Sequence, residues 1–291
     1  MKILITGHRG FVGTHFTKFY RDLGHEVFGV DINAETPRDA RDFFKEDDIQ
    51  WDLVIHLAAV VGGRAKIEGN PLSVAVDLSI DAEMWQWAIR TKQKRVVYFS
   101  SSAAYPVELQ TREFHTSLSE HMIDLNNLRN PDLTYGWSKL TGEYLAQFAA
   151  AEGIRTHIFR PFSGYGEDQA LDYPFPSFID RARRMADPFD VWGDGLQTRD
   201  FIHIDDIVQT VHAAVDQDYR EPLNIGTGRA TSFLELAELV TKEAGYKPEI
   251  LTHPEKPVGV FWRVSDPLDS FRIWQPRITL EEGIRRALLT D

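Results

Sequence analysis

The chain has 291 residues, 43% hydrophobic and 26% charged, proportions that exclude a disordered chain, a collagen-like repeat and a disulfide scaffold. It contains no cysteine, which removes disulfides, thiolate metal ligands and cysteine nucleophiles and fits a reducing compartment, so a cytoplasmic location is expected. Its net charge is −12, a field that repels phosphate, so neither a nucleic acid nor an anionic membrane is an expected partner. An anionic small ligand needs basic residues that converge locally.

The N-terminal MKILITG runs straight into a strand at Lys2–Thr6, with no room for a signal-peptide core before the glycines. Further strands are expected over 26–30, 52–57, 95–100, 155–159 and 223–225. Several are apolar nearly throughout, as a parallel sheet covered on both faces requires. The longest apolar stretch, from Leu53 to Gly63, is interrupted by His56 and falls short of the roughly 18–20 residues that span a bilayer. Helices are expected near 11–23, 71–92, 137–152 and 205–217. Strand–helix alternation of this kind specifies a parallel α/β sheet with right-handed crossovers.

Beyond about residue 160 the texture changes. Prolines recur at Pro174, Pro176, Pro188, Pro248, Pro254 and Pro257, and shorter helices are expected near 175–186, 232–244 and 279–289. The expected fold is therefore a Rossmann-type doubly wound parallel sheet with a smaller mixed α/β substrate-binding region toward the C-terminus. Residues 1–164, with about 203–226, would form the dinucleotide-binding part. Residues 165–202 and 227–291 would form the other.

The first motif, TGHRGFVG, follows a strand and opens a helix. In that setting Gly7 permits the tight turn, Gly10 lets backbone approach a pyrophosphate, and Gly13 lets the helix pack close to the strand. The free N–H groups of the helix start, around Phe11 and Val12, favour phosphate. Asp31 ends the second strand 18 positions after Gly13, close to the spacing of an acid that bonds a ribose 2′-hydroxyl. A carboxylate there repels a 2′-phosphate, so NAD is the expected cofactor rather than NADP. A turn-capping role is the plainer alternative for Asp31. Asp39-Ala40 is a weaker candidate for the adenine side.

Tyr135 and Lys139, in YGWSK, lie four residues apart and so share a helix face. A free phenol has a pKa of about 10 and is a poor base at neutral pH. A neighbouring ammonium and an oxidised nicotinamide both favour phenolate, and a drop of three units needs about 4 kcal/mol. Such a phenolate takes a hydroxyl proton while hydride leaves the same carbon. Taken alone, the pair describes a solvated helix face; the glycine loop gives it meaning. The third segment, SSSAAYP at 100–106, follows the fourth strand, where ligands of open parallel sheets sit. The histidines are scattered, with no metal-ligand spacing. His203 and the Asp205-Asp206 pair read as a helix cap.

Together these residues resemble the extended short-chain dehydrogenase/reductase superfamily, in its nucleotide-sugar epimerase/dehydratase branch. The likeness also includes HLAA at 56–59, RPFSGYG at 160–166, WGDGLQTRDFIHIDD at 192–206, NIGTG at 224–228 and LEEGIRRAL near the C-terminus. It implies NAD bound by the glycine loop, Asp31, and Leu57, Ala58 and Ala59. It implies Tyr135 as acid/base and Lys139 as its partner and ribose ligand. Ser101, four residues before Tyr105, would orient the substrate, with Ser102 as the alternative. Arg199 and Arg263 would bind the diphosphate of a nucleotide sugar, and Ser163 stands where the family often has asparagine. The helices near 71–92 and 137–152, the first carrying Trp85 and Trp87, would form a homodimer face; the alternative is that the tryptophans cover the sheet.

Within that branch the strand-end, WGDGLQTR and GV-x-x-R-x-SD segments are most like the GDP-mannose 3,5-epimerases. Those use a cysteine base and a loop lysine, and this chain has no cysteine and no lysine over 166–176. The Asp-Glu pair of 4,6-dehydratases is replaced by Ser102-Ala103, and the glutamate of the decarboxylases is absent. What remains is reversible oxidation at one carbon: an NAD-dependent epimerase acting at C4 through a transient 4-keto sugar, with a GDP-sugar suggested by likeness. A 4-ketoreductase or 4-dehydrogenase, or a dehydratase, stands as the alternative enzyme. A non-enzymatic dinucleotide-sensing regulator stands as the alternative outside enzymes, though such sensors tend to lose the Tyr–Lys pair.

Overall fold

The computed structural model describes residues 1–62 and 68–290, without the Ser73 side chain. Gly63, the end of the long apolar stretch, lies outside the described residues. The central sheet has six parallel strands: β1 (Lys2–Thr6), β2 (Glu26–Val30), β3 (Leu53–His56), β4 (Arg95–Phe99), β5 (Arg155–Pro161) and β10 (Leu223–Ile225). Their order is β10-β5-β4-β3-β1-β2. The chain leaves β1 toward β2, then crosses back to β3 on the other side, which makes the carboxyl ends of β1 and β3 the switch point where such sheets bind ligands.

The apolar runs explain the two-sided burial. Successive side chains of a strand point to opposite faces. Ile3 and Ile5 accordingly join Leu53, Ile55, Val97 and Phe99 in one core, under α1 (Phe11–Asp22) and α7 (Ile204–Asp216). Leu4, Val54, Val96 and Tyr98 join the other, under α2 (Ala40–Glu46), α4 (Val76–Arg90) and α5 (Leu133–Ala151). The expected helix near 71–92 divides into α3 (Pro71–Val74) and α4. Trp85 and Trp87 are buried in the second core, so they cover the sheet and leave the outer face of α4 to other residues.

α5 begins at Leu133, four residues before the expected start. Gly136, inside the helix, is a packing residue. A Cβ there would lie 2.4 Å from the Ala103 carbonyl oxygen and 2.9 Å from Pro131 Cβ. α2 was not expected, and Asp39 is its N-cap, accepting from the Arg41 N–H at 2.8 Å and pairing with the Arg41 guanidinium. That cap gives Asp39 a structural role of its own. His203 caps α7 as expected, accepting from the Asp205 N–H, but Asp206 turns away to accept from the backbone of Arg277 and Ile278 and from the Trp274 indole.

A third core gathers Phe175, Phe178, Phe189, Phe233, Leu236 and Ile284, among others. It lies among α6 (Pro174–Arg183, with proline in its first turn), α8 (Phe233–Glu243) and α10 (Leu280–Leu289). Small sheets flank it: β7 (Phe189–Trp192) pairs with β12 (Ile250–His253), and β8 (Thr198–Arg199) lies between β11 (Thr231–Ser232) and β13 (Trp262–Arg263). β6 (Ser163–Tyr165) and β9 (Phe201–His203) form a further pair, and α9 (Leu268–Ile273) packs against β10. Among the described residues no helix is long and apolar enough to cross a membrane.

Candidate active site at the carboxyl ends of the strands

β1, β3 and β4 are neighbours in the sheet, and each ends in a segment singled out by sequence. Adjacent strands lie about 4.8 Å apart, so their three termini converge on one small area. After β1, Gly7 has φ +70°, and a Cβ on it would lie 2.8 Å from the backbone of Leu57 and Ala58. The glycine loop and the HLAA loop therefore meet backbone to backbone, with Ala59 half-buried beyond them. Gly10 closes the turn onto the Gly7 carbonyl at 3.0 Å, while Phe11 and Val12 pack against the first core. A Cβ at Gly13 would lie 2.1 Å from the Gly7 carbonyl oxygen and 2.7 Å from His8 Cα. Both neighbours are backbone and cannot step aside. Gly13→Ala is expected to cost about 1–3 kcal/mol, as forced overpacking does, and to weaken NAD binding at least tenfold in calorimetric titration.

Asp31 is buried at the end of β2. One carboxylate oxygen accepts from Arg9 N–H at 2.9 Å and the other from Asn33 N–H at 2.8 Å. It thus caps the turn after β2, as the plainer reading asked, and it is tied to the glycine loop. Each oxygen keeps a second lone pair for a ribose hydroxyl. Glycines that only a close-packed backbone explains, and a buried acid beside them, fit a dinucleotide without a 2′-phosphate.

After β4, Ser101 caps a short 3₁₀ turn (Ser102–Ala104), accepting from Ala103 N–H at 3.1 Å. Its hydroxyl stands close enough to the Tyr135 phenol to act on its acidity. Ser102 is buried inside the turn. Tyr135, Lys139, Gly142, Glu143, Ala146 and Ala149 follow one face of α5, the face turned to the protein. The Lys139 ammonium lies 5.8 Å from the Tyr135 ring centre and 5.4 Å from that of Tyr98. Ser101, Tyr135 and Lys139 therefore come together as expected.

Burial pushes the Tyr135 phenol up; Lys139 and the nearby Ser101 hydroxyl pull it down, Asp77 and Asp81 push it up again, and the balance lies above an ordinary phenol. Lys139 by itself does not make Tyr135 a base. For Lys139, burial acts to strip the proton, but Asp81 foremost, then Tyr135 and Asp77, outweigh it and raise it above an ordinary lysine. Asp77 and Asp81 had no motif to mark them. Asp77 is fully buried on α4 and accepts from Val60 N–H at 2.6 Å.

The parallel pairing of β8 with β13 sets Arg199 and Arg263 opposite each other in register. Arg263 donates to Gln110 Oε1 at 2.6 Å and to Asp132 Oδ2 at 2.8 Å. Asp132 is the N-cap residue of α5, so Arg263 is tied to the start of the helix that carries Tyr135. Arg199 donates to the carbonyls of Thr198 and Val258. Ser163 opens β6, just past the end of β5, and is not joined to these groups by any bond described here.

A Rossmann-type sheet with a glycine loop, a strand-end acid and a Ser–Tyr–Lys group defines a dinucleotide-dependent enzyme of the extended short-chain dehydrogenase/reductase type. The profile of the NAD dependent epimerase/dehydratase family matches residues 3–226, and the chain belongs to that family. It is 31% identical to GDP-mannose 3,5-epimerase of Arabidopsis thaliana over 308 residues, covering 98% of this chain and 80% of that protein. It is 29% identical to a putative UDP-glucose 4-epimerase of Methanocaldococcus jannaschii, covering 98% of this chain and 97% of that one. Among solved structures, MoeE5 in complex with UDP-glucose and NAD superposes with a TM-score of 0.81 at 27% identity, covering 99% of this chain and 97% of that chain.

Proposed function

We propose that this protein is an NAD-dependent nucleotide-sugar epimerase that inverts C4 through a transient 4-keto sugar. The observation that carries the reading is the half-buried Tyr135, held beside Lys139 and next to Ser101 at the strand ends by the glycine loop. When bound there, NAD supplies a hydride acceptor and a positive charge beside the phenol. Ser101 positions the sugar hydroxyl. Tyr135 takes its proton, holds it while the ketone turns in the pocket, and returns it to the alkoxide of the epimer. Lys139 holds the cofactor ribose and opposes the burial that favours neutral phenol. Arg199 and Arg263 bind the diphosphate, two guanidiniums suited to a bidentate dianion, which lets an acidic protein hold an anionic substrate. The region formed by 165–202 and 227–291 is the sugar-nucleotide side of the same reading.

The choice of C4 is supported by relatives that include a putative 4-epimerase and by the lack of cysteine. A GDP-sugar is suggested by likeness to the 3,5-epimerase. The test is turnover of UDP- and GDP-sugars in deuterium oxide. C4 inversion returns the same hydride, so the epimer forms without deuterium at C3 or C5 and without accumulating reduced nicotinamide. Deuterium at those carbons, or steady build-up of reduced cofactor, defeats the proposal.

A homodimer and a cytoplasmic location belong to the same reading. Leu133, Trp137, Tyr144 and Phe148 form one exposed stripe on α5, and Leu72 and Leu78 are exposed on the neighbouring α3 and α4. An apolar stripe of this extent marks an interaction face. Trp137→Glu is expected to halve the mass measured by light scattering; an unchanged mass removes this face from any interface.

A further inference from the structure

Thr6 on β1, His56 on β3, Tyr98 on β4 and Asp81 on α4 form one buried hydrogen-bonded row. Donors and acceptors fix its direction. Thr6 Oγ1 accepts from the Leu57 and Ala58 N–H groups, both at 3.2 Å, so its own hydrogen goes to His56 Nδ1 at 2.8 Å. An imidazole that accepts at Nδ1 carries its hydrogen on Nε2 and is neutral. Nε2 then donates to Asp81 Oδ1 at 3.0 Å. Burial and Asp81 hold the Tyr98 phenol well above the ordinary range, so it keeps its hydrogen and donates to Asp81 Oδ2 at 2.5 Å.

Both partners of Asp81 thus donate to its carboxylate. Burial pushes its carboxyl up, but the Lys139 ammonium, then His56 and Tyr98, bring it below the ordinary carboxylate range. Helix α5 is closed tightly against the pair: a Cβ at Gly142 would lie 1.9 Å from the Tyr98 hydroxyl oxygen and 2.9 Å from Asp81 Oδ2. The groups facing Lys139 are Asp77 and Asp81 from α4, Tyr98 from β4 and Tyr135 from its own helix. Ser101 and Tyr173 stand at Tyr135, His56 at Asp81, and Glu143 acts on Tyr98.

We propose that Asp81 is the counter-charge of Lys139, a positioning residue that keeps the buried ammonium protonated and through it sets the acidity of Tyr135. With Asp81 neutralised, Lys139 loses the largest of the influences that oppose burial, and its proton leaves at a lower pH. Tyr135 then loses the cation that lowers it. The direct effect of Asp81 on the phenol runs the other way but is the smallest of those acting there. The net movement of Tyr135 is upward.

The inference rests on Tyr135 and Lys139 being the acid–base couple, but its test needs neither substrate nor cofactor. The lysine side chains of the whole chain are ¹³C-labelled and titrated by NMR, with Lys139→Arg assigning the Lys139 signal. Asp81→Asn is expected to lower the Lys139 midpoint by about one pH unit or more, a tenfold change in its protonation constant. Asp81→Ser, smaller and still able to accept one bond, is run alongside in case the amide disrupts folding. Tyr98→Phe, which removes a bond but keeps the carboxylate, is expected to move the midpoint much less. In the loaded enzyme, the acidic limb of the kcat profile moves up with Asp81→Asn while KM stays within threefold. A Lys139 midpoint unchanged or raised in a folded Asp81 variant overturns the proposal, whatever the fate of the epimerase reading.

Discussion

Tyr135→Phe is expected to lower kcat for sugar epimerisation about 10³-fold, within the range that a single general acid–base supplies. The substitution is clean because phenylalanine keeps the ring beside which Lys139 sits and deletes only the oxygen that meets Ser101. NAD affinity is expected to stay within a few-fold, since the glycine loop and Asp31 are the proposed grip on the cofactor. The pH dependence has a definite sign. In the proposed mechanism Tyr135 acts on the sugar hydroxyl as phenolate, and the protein holds the phenol above its ordinary range by burial. Activity of the wild type therefore rises with pH, and the residual activity of Tyr135→Phe loses that limb. Ser101→Ala leaves the base in place but removes one group that favours phenolate, so its limb moves to higher pH. A Tyr135→Phe enzyme within tenfold of wild type would remove the phenol from the mechanism.

The sheet was legible because its strands are nearly pure apolar runs. β1, β2 and β10 fall on the expected residues, and β3, β4 and β5 differ only at their ends. The glycine loop was legible because strand, glycines and helix occur in one short stretch. What escaped notice has no local signature. Gly136 and Gly142 sit inside a helix because distant groups, Ala103 and the Tyr98–Asp81 pair, press against them. His56 and Asp81 lie 25 residues apart, and Thr6 lies 50 residues from His56. A polar residue within an apolar run is indistinguishable from a loop residue until the sheet brings its partners together. In the second region the three helices expected near 175–186, 232–244 and 279–289 appear as α6, α8 and α10, but its small sheets were not legible. Its two-residue strands, β8, β11 and β13, are too short to carry a period, and their pairing depends on contacts between segments more than thirty residues apart.

The largest stability loss is expected from Glu143→Ala. Glu143 and Arg160 are both buried, with side-chain exposures of 0% and 2%. Arg160 donates to Glu143 through Nε at 2.9 Å and Nη2 at 2.6 Å, and through Nη1 to the Glu120 carbonyl at 2.8 Å. The Ser100 hydroxyl also donates to Glu143. Tyr105, whose phenol burial pushes up to about 12, receives a bond from Arg160 and donates to Asn224 at 2.7 Å. The row thus ties α5, β5, the end of β4 and β10 behind the site, on both sides of Ser101. Burial alone would lower the Arg160 guanidinium; Glu143 foremost outweighs it and holds it above its ordinary range. Removing the carboxylate leaves a buried cation with no counter-charge, which costs about 3–5 kcal/mol. At about 2–4 °C per kcal/mol for a chain of this size class, Tm falls by roughly 10 °C. Replacing both partners, Glu143→Met with Arg160→Met, removes the stranded charge as well as the attraction, so the double variant is expected to be more stable than Glu143→Ala alone. Thermal and urea unfolding of the single and double variants measure the difference. A Glu143→Ala protein within about 1 kcal/mol of wild type would show that the guanidinium finds water or another anion, and that the pair does not hold the strand ends in place.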